Sequence, residues 1–290
     1  MRCGFLDNCE MKKINYRMMK KIGFIALFAL VNLMASAQFY GVDTDKLTGL
    51  VMQLSNFPQD NAVMILQSTL NSLAEQPKSY RKAVEMIERM GDPADSLHNE
   101  VLYAAGLSHV VSSYVLSGSE KARPQAMLAV AKKNAIGGAA TDVQLTLADG
   151  KTTQLLTGNG KPTLVYFNDP SCEACHQVKA NLEASKLVKD MAEGGELNVV
   201  AVYPGKEQKQ WKRNTFEPWI VNGYDKAQAI EENDAYALPT MPLFYLLAAD
   251  GTVLIKNEPS LSRIENALNM LKLNPDKDNA TLVKLLFNVH

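Results

Sequence analysis

The sequence predicts two unlike regions in one chain: an all-α helical domain, then an α/β region built on a mixed sheet flanked by helices. Three observations carry this. Between Asp43 and Asn134, apolar residues recur at helical spacing with almost no strand pattern. Near residue 140 the period switches to alternation and short continuous apolar runs. Two of the chain's four cysteines, Cys172 and Cys175, stand where one such run turns into a helical pattern.

The first element is a leader. Lys20 and Lys21 precede an apolar run from Ile22 to Met34, and Ala35-Ser36-Ala37 supplies the small-x-small pattern that a signal peptidase accepts before Gln38. The run is shorter than the roughly 20 residues a helix needs to cross a bilayer. No cysteine follows it to accept a lipid. Residues 1–37 therefore read as a cleaved signal peptide, with Met11, Met18 or Met19 as alternative starts. The product is expected to be exported to the periplasm, and an uncleaved anchor is the alternative.

Residues 38–134 read as a helical bundle of about five helices. Leu47, Leu50, Val51 and Leu54 form one stripe, and Val63, Leu66, Leu70 and Leu73 another. The stretches NFPQDN, EQPKS, GDPADS and SGSEKARPQ punctuate it with proline, glycine and N-cap residues. Met52, Met64, Met86 and Met90 read as core filler. AIGGAA, residues 135–140, reads as a linker, and residues 141–290 as the α/β domain with a C-terminal tail.

In that domain DVQLTLADGKTTQLL alternates on both sides of Asp149-Gly150, a hairpin signal. PTLVYF (162–167) and LNVVAVY (197–203) are short apolar runs suited to buried strands. The segment from Ser171 to Glu193 has helical spacing at Val178, Leu182 and Leu187. PLFYLLAADGTVLI (242–255) reads as two strands joined at Asp250-Gly251, and SLSRIENALNMLKL as a closing helix capped by Ser260 or Ser262.

Charge excludes more than it names. The chain carries net −1, and residues 1–37 hold six basic and two acidic side chains, so their removal leaves about −5. That argues against a nucleic-acid surface. Removal of the leader also takes Cys3 and Cys9, leaving Cys172 and Cys175 as one close pair. A secreted scaffold held by disulfides would need more pairs at wider spacing, so this pair reads as a chemical device.

Cys172-Glu173-Ala174-Cys175 is the C-x-x-C spacing of thiol–disulfide exchange, and His176 extends it to the C-x-x-C-H pattern that attaches a c-type haem. At a strand-to-helix turn, the outer thiol meets the helix's free N–H groups and positive end. Cys172 would attack, and Cys175, one turn inward, would resolve the mixed disulfide. Glu173 places a carboxylate beside Cys172, opposing a thiolate there and making the pair more reducing. No metal site is expected, because His98, His109 and His290 show no ligand spacing. His98 and His109 read as helical surface or packing residues, Trp211 and Trp219 as packing, and KEQKQWKR as a solvated helix face.

The motifs KPTLVYFNDPSCEACHQVKANL and YALPTMPLFYLLAADGTVL make residues 140–272 resemble the thioredoxin superfamily, specifically its exported TlpA-like branch. The helical region resembles those preceding such modules in Bacteroidetes-type exported proteins. The resemblance implies a thioredoxin-like fold, with Pro242 as a cis-proline facing the dithiol and Met241 pairing with a substrate strand. It implies a thiol:disulfide oxidoreductase without cofactor, acting on disulfide-containing proteins and resupplied by a membrane thiol reductase. Three positions depart from the family's pattern. Tyr166 stands where a buried Asp often assists the inner thiol, Asn168 occupies a tryptophan-like position, and Met241 replaces the usual Thr or Val. Haem attachment would consume both cysteines, with His176 as axial ligand, and the paired motifs argue for the dithiol instead. The other-class alternative is a partner-binding module on a redox-inert thioredoxin-like scaffold.

Overall fold

The computed structural model describes residues 44–287, so the leader read over residues 1–37 lies outside the described residues. Five helices come first: α1 (Thr44–Leu54), α2 (Gln59–Leu73), α3 (Pro77–Arg89), α4 (Glu100–Ser112) and α5 (Gly118–Ala131). Pro58 caps α2, and Pro77 opens α3 where the missing N–H leaves no helical bond unmade. Asn99 accepts the N–H groups of Val101 and Leu102 at the start of α4. Ser117 and Glu120 form a reciprocal capping box on α5. The stretch from Ser117 to Gln125, which reads as a break, is thus the opening of α5, with Pro124 buried inside the helix.

The stripes meet in a core where Leu54, Leu70, Tyr80, Ile87, Met90, Leu102 and Leu107 are fully buried. Met86 and Met90 fill it, but Met52 and Met64 are about half exposed, because the inward stripe of α1 runs through Leu47, Val51 and Leu54 and that of α2 through Ala62, Ile65, Leu66 and Leu70. His109 ties three helices: Tyr80 Oη lies 3.0 Å from its Nδ1 and Asn71 Oδ1 2.9 Å from its Nε2. His98 sits in the turn before α4 rather than on a helix, its Nδ1 3.0 Å from the Met90 carbonyl.

The remaining elements are β1 (Gln144–Thr146), β2 (Thr152–Gln154), β3 (Thr163–Phe167), α6 (Glu173–Ala184), α7 (Lys186–Glu193), β4 (Asn198–Tyr203), α8 (Gln208–Arg213), β5 (Val221–Tyr224), β6 (Leu243–Leu247), β7 (Val253–Glu258), α9 (Leu261–Leu273) and α10 (Asn279–Leu286). They form one mixed sheet in the order β2-β1-β5-β4-β3-β6-β7. β3, β4 and β5 run parallel, and β6 lies antiparallel to β3. Every residue of β3 is buried, as a strand covered on both faces requires. Leu164 and Tyr166 face a core shared with α6, α7, α9 and α10, while Val165 and Phe167 face Ile230 and Tyr236 on the other side.

Three elements differ from the sequence reading, the first being the C-terminal tail, which forms α10 with Leu282, Val283 and Leu286 buried in the core. β5 is four residues broken by Gly223, too short to announce itself. A Cβ at Gly223 would meet Leu145 Cδ1 at 2.7 Å, so glycine is what lets β1 approach. The helix read over 171–193 is two, because Ser185 caps α7 through the Val188 N–H and its Oγ donates to Glu265 at 2.6 Å.

Residues 135–140 run along the edge of β7. Gly137 N–H reaches the Val253 carbonyl, Val253 N–H the Gly138 carbonyl and Ala140 N–H the Gly251 carbonyl, at 2.8, 2.8 and 2.9 Å. They cover backbone groups that an edge strand would otherwise expose. Behind them, buried Lys256 donates to the Ala131 and Lys133 carbonyls at 3.0 and 2.9 Å and pairs with Glu100 at 3.6 Å. Asn257 donates to Glu100 at 2.7 Å and accepts from Tyr245 at 2.9 Å. Helices and sheet are therefore joined by polar groups that satisfy one another. Among the described residues no helix is long and apolar enough to cross a membrane.

Candidate active site

β3 ends at Phe167, and Asn168 stays tied to β4 through its backbone N–H to the Val202 carbonyl at 3.0 Å. The chain then turns sharply. Asp169 Oδ1 accepts both the N–H and the Oγ–H of Ser171 at 2.7 Å, and Cys172 N–H donates to the Asp169 carbonyl at 3.1 Å. This Asx turn sets Cys172 as the N-cap of α6. Its Sγ accepts the Cys175 N–H at 3.3 Å, an arrangement suited to holding negative charge on sulfur.

The two thiols have opposite environments. Cys172 is half-buried, whereas Cys175 is 1 % exposed behind it. Burial pushes the Cys175 thiol up to about 12, with the Asp169 N–H on its sulfur at 3.4 Å pulling the other way. Across the gap the Cys172 thiol points to the Met241 carbonyl at 3.9 Å, and the Met241–Pro242 peptide bond is cis. The fold thus brings Cys172, Cys175 and Met241 together, with Pro242 next in the chain. Cys172 is the exposed partner at the helix start, and Cys175 is the shielded one.

Glu173 sits apart. Its side chain is 98 % exposed, and its carboxylate lies 3.8 Å from His176 Nδ1, while His176 Nε2 is 2.8 Å from the Pro170 carbonyl. A fully solvated carboxylate is screened. Glu173→Gln is therefore expected to raise the reduction potential by no more than about 20 mV, since exposed charges contribute at most about 1 kcal/mol and 30 mV corresponds to about 1.4 kcal/mol. Glutathione equilibria of both proteins check this, and a larger rise would return Glu173 to the sulfur's immediate environment.

Tyr166, in place of a buried acid, is fully buried and stacks on Phe244 at 5.1 Å between ring centroids. Its hydroxyl donates to the Cys175 carbonyl at 2.7 Å, and burial raises its pKa far above the usual phenol range. It braces α6 and cannot accept a proton near neutrality.

Sequence reasoning passed over an amide chain behind the turn. Asn214 donates to buried Asn168 at 3.1 Å, Asn222 to the Asn214 carbonyl at 2.7 Å, and Trp211 Nε1 to Asn222 at 2.7 Å. Lys179 on α6 adds a bond to Asn214 Oδ1 at 3.0 Å and another to the Thr215 carbonyl. Trp211 is fully buried against Tyr224, so the charged run of α8 has one face anchored here. Asp169 was also passed over, although Asp-Pro-Ser before a helix is an Asx-turn signal.

A half-exposed thiol capping a helix, a buried thiol behind it and a backbone carbonyl beside a cis-proline, all on a mixed sheet, define a thioredoxin-like protein. Residues 150–272 match the thioredoxin-like domain family, and this part of the chain is a thioredoxin-like domain. A thioredoxin-like protein from Bacteroides caccae is 28 % identical and superposes with a TM-score of 0.73 over 82 % of this chain and 87 % of its own. That match takes in helices as well as sheet. The C-terminal domain of an uncharacterized Bacteroides fragilis protein is 34 % identical over 47 % of this chain and 99 % of its own, at a TM-score of 0.45. The thioredoxin domain of a thiol-disulfide oxidoreductase from Bacteroides vulgatus is 16 % identical over 41 % and 85 %, at 0.33. Among curated proteins, no sequence matches.

Proposed function

We propose that the protein is an exported thiol–disulfide oxidoreductase that reduces disulfides in other proteins. One observation carries the reading: the reachable Cys172 sulfur sits at a helix N-terminus, with the shielded Cys175 thiol one turn behind it. Cys172 attacks a substrate disulfide and releases one substrate thiol. Cys175 then displaces the other, and the pair leaves as a disulfide. The Met241 backbone beside Pro242 is placed to pair with an extended substrate segment. The reducing direction is supported by burial of Cys175, which withholds stabilisation from the ionised dithiol; strong oxidants are those whose reduced form is stabilised.

Export rests on the leader pattern at residues 20–37, and a membrane thiol reductase as electron donor rests on the family resemblance. The reduced protein is expected to speed insulin-disulfide reduction by dithiothreitol. In glutathione buffers its couple should lie nearer the roughly −270 mV of thioredoxin than the −120 mV of a strong oxidant. A value above about −180 mV would replace the reductant with an oxidant or isomerase. No exchange at all would favour the partner-binding module.

A further inference from the structure

Resolution of the mixed disulfide needs a thiolate at Cys175, the buried sulfur whose ionisation is held far above neutrality by desolvation. Something must take its proton. Tyr166 donates to the Cys175 carbonyl and is itself a far weaker acid. Glu173 points into solvent beside His176, and His176 Nε2 is engaged with the Pro170 carbonyl. Glu183 lies 4.0 Å from Lys179 Nζ and accepts the Glu217 N–H at 3.3 Å.

Asp169 stands differently. Its own N–H is 3.4 Å from Cys175 Sγ. An aspartate oxygen lies within about 5 Å of its own backbone nitrogen by covalent geometry, so this carboxylate is within about 8 Å of that sulfur. Burial dominates the upward shift of the Cys175 thiol, and the Asp169 charge adds to it in the same direction. The side chain is fixed by two bonds from Ser171 to Oδ1, while Oδ2 has no hydrogen-bond partner among the described residues. A partly exposed carboxylate with one oxygen unbonded among the described residues, within about 8 Å of a buried thiol, can take its proton through bridging water.

We propose that Asp169 is the proton acceptor for Cys175 in the resolving step, an assignment that rests on the oxidoreductase reading above. Once Cys172 is joined to a substrate sulfur, the Asp169 carboxylate takes the Cys175 proton. The Cys175 thiolate attacks Cys172 Sγ, the Cys172–substrate bond breaks, and the Cys172–Cys175 bond forms. The departing substrate thiolate takes up the proton from Asp169 or from solvent, so two thiols are oxidised and one disulfide is reduced.

The test separates the two steps. Reduced protein mixed with 5,5′-dithiobis(2-nitrobenzoate) should release one thionitrobenzoate as Cys172 is modified, then a second as Cys175 resolves. In Asp169→Asn, which keeps the oxygen that holds Ser171, the first phase should be unchanged and the second slowed at least about tenfold at pH 7. The variant's second phase should climb about tenfold per pH unit between pH 6 and 8 as hydroxide substitutes for the carboxylate, while wild type stays nearly flat. Asp169→Glu should recover part of the loss. Equal second phases and parallel pH profiles in wild type and Asp169→Asn would overturn the assignment alone. Absence of the first phase in wild type would overturn the oxidoreductase reading, and this assignment with it.

Discussion

Cys172→Ser is expected to abolish insulin-disulfide reduction, while Cys175→Ser is expected to complete half a turnover and stop. The asymmetry follows from exposure. Cys175 is 1 % exposed, so a protein disulfide cannot reach it, and Cys172 is the only reachable thiol among the described residues. A serine hydroxyl is no nucleophile toward disulfides, because exchange requires a thiolate. Catalysed turbidity should therefore fall to the dithiothreitol background in Cys172→Ser. In Cys175→Ser the first attack proceeds, but nothing resolves the product, so an adduct to Cys172 accumulates and shows in mass spectra. The serine at 172 can still accept the residue-175 N–H as an N-cap, so α6 should keep its start and the protein its fold. Thermal melts of both variants check that. Wild-type activity in Cys172→Ser, or an adduct forming there on Cys175, would sink the assigned order of attack.

The strand-to-helix turn that carries the two cysteines is legible in the sequence because local signals agree. A continuous apolar run followed by C-x-x-C with helical spacing points to a buried strand turning into a helix, and the structure has β3 and α6 in that place, joined by an Asx turn at Asp169 that the sequence reading passed over. What escaped was carried by long-range contact. β5 exists because Gly223 lets Leu145 approach and because Trp211 and Asn214 both reach Asn222. Glu173 is one residue from Cys172 in sequence, yet as the first residue of α6 its side chain is directed outward. Asp169 lies three residues before Cys172, but its N–H meets the sulfur of Cys175, six residues on. Sequence proximity singled out Glu173, whose side chain is in solvent, and passed over Asp169, whose backbone touches the buried sulfur. The linker shows the same effect. AIGGAA is punctuation by composition, but its backbone has partners because β7 offers an open edge.

Lys256→Met is expected to lower stability by about 3–5 kcal/mol, because it leaves Glu100 as an unpaired buried carboxylate. In wild type the Lys256 side chain is 2 % exposed and that of Glu100 7 %. The ammonium donates to the Ala131 and Lys133 carbonyls and forms an ion pair with Glu100. The Ala131 carbonyl ends α5 and that of Lys133 lies just beyond it, so the substitution also strips the helix end of its cation. At 2–4 °C per kcal/mol for domains of this size, the melting temperature should fall by roughly 10–15 °C. The double variant Glu100→Gln/Lys256→Met should recover at least half of that, since removing both charges removes the unpaired one, and glutamine can still accept from Asn257. pH gives a second readout. Burial lowers the Lys256 pKa below its ordinary 10.5, against the opposing pull of Glu100. Between that lowered value and 10.5 the unfolded chain binds more protons than the folded one, so this group's contribution to stability rises with pH. Buried tyrosines such as Tyr236 and Tyr245 have raised pKa values and act in the opposite sense above about pH 10, but they are common to both proteins. The stability of wild type relative to Lys256→Met should therefore grow on the alkaline side as pH approaches 10. Denaturant unfolding at pH 7 and at pH 10 measures both effects. A loss under about 1 kcal/mol at pH 7 would mean that the ion pair does not hold the helices to the sheet. An unchanged difference at pH 10 would mean that Lys256 is not desolvated by folding.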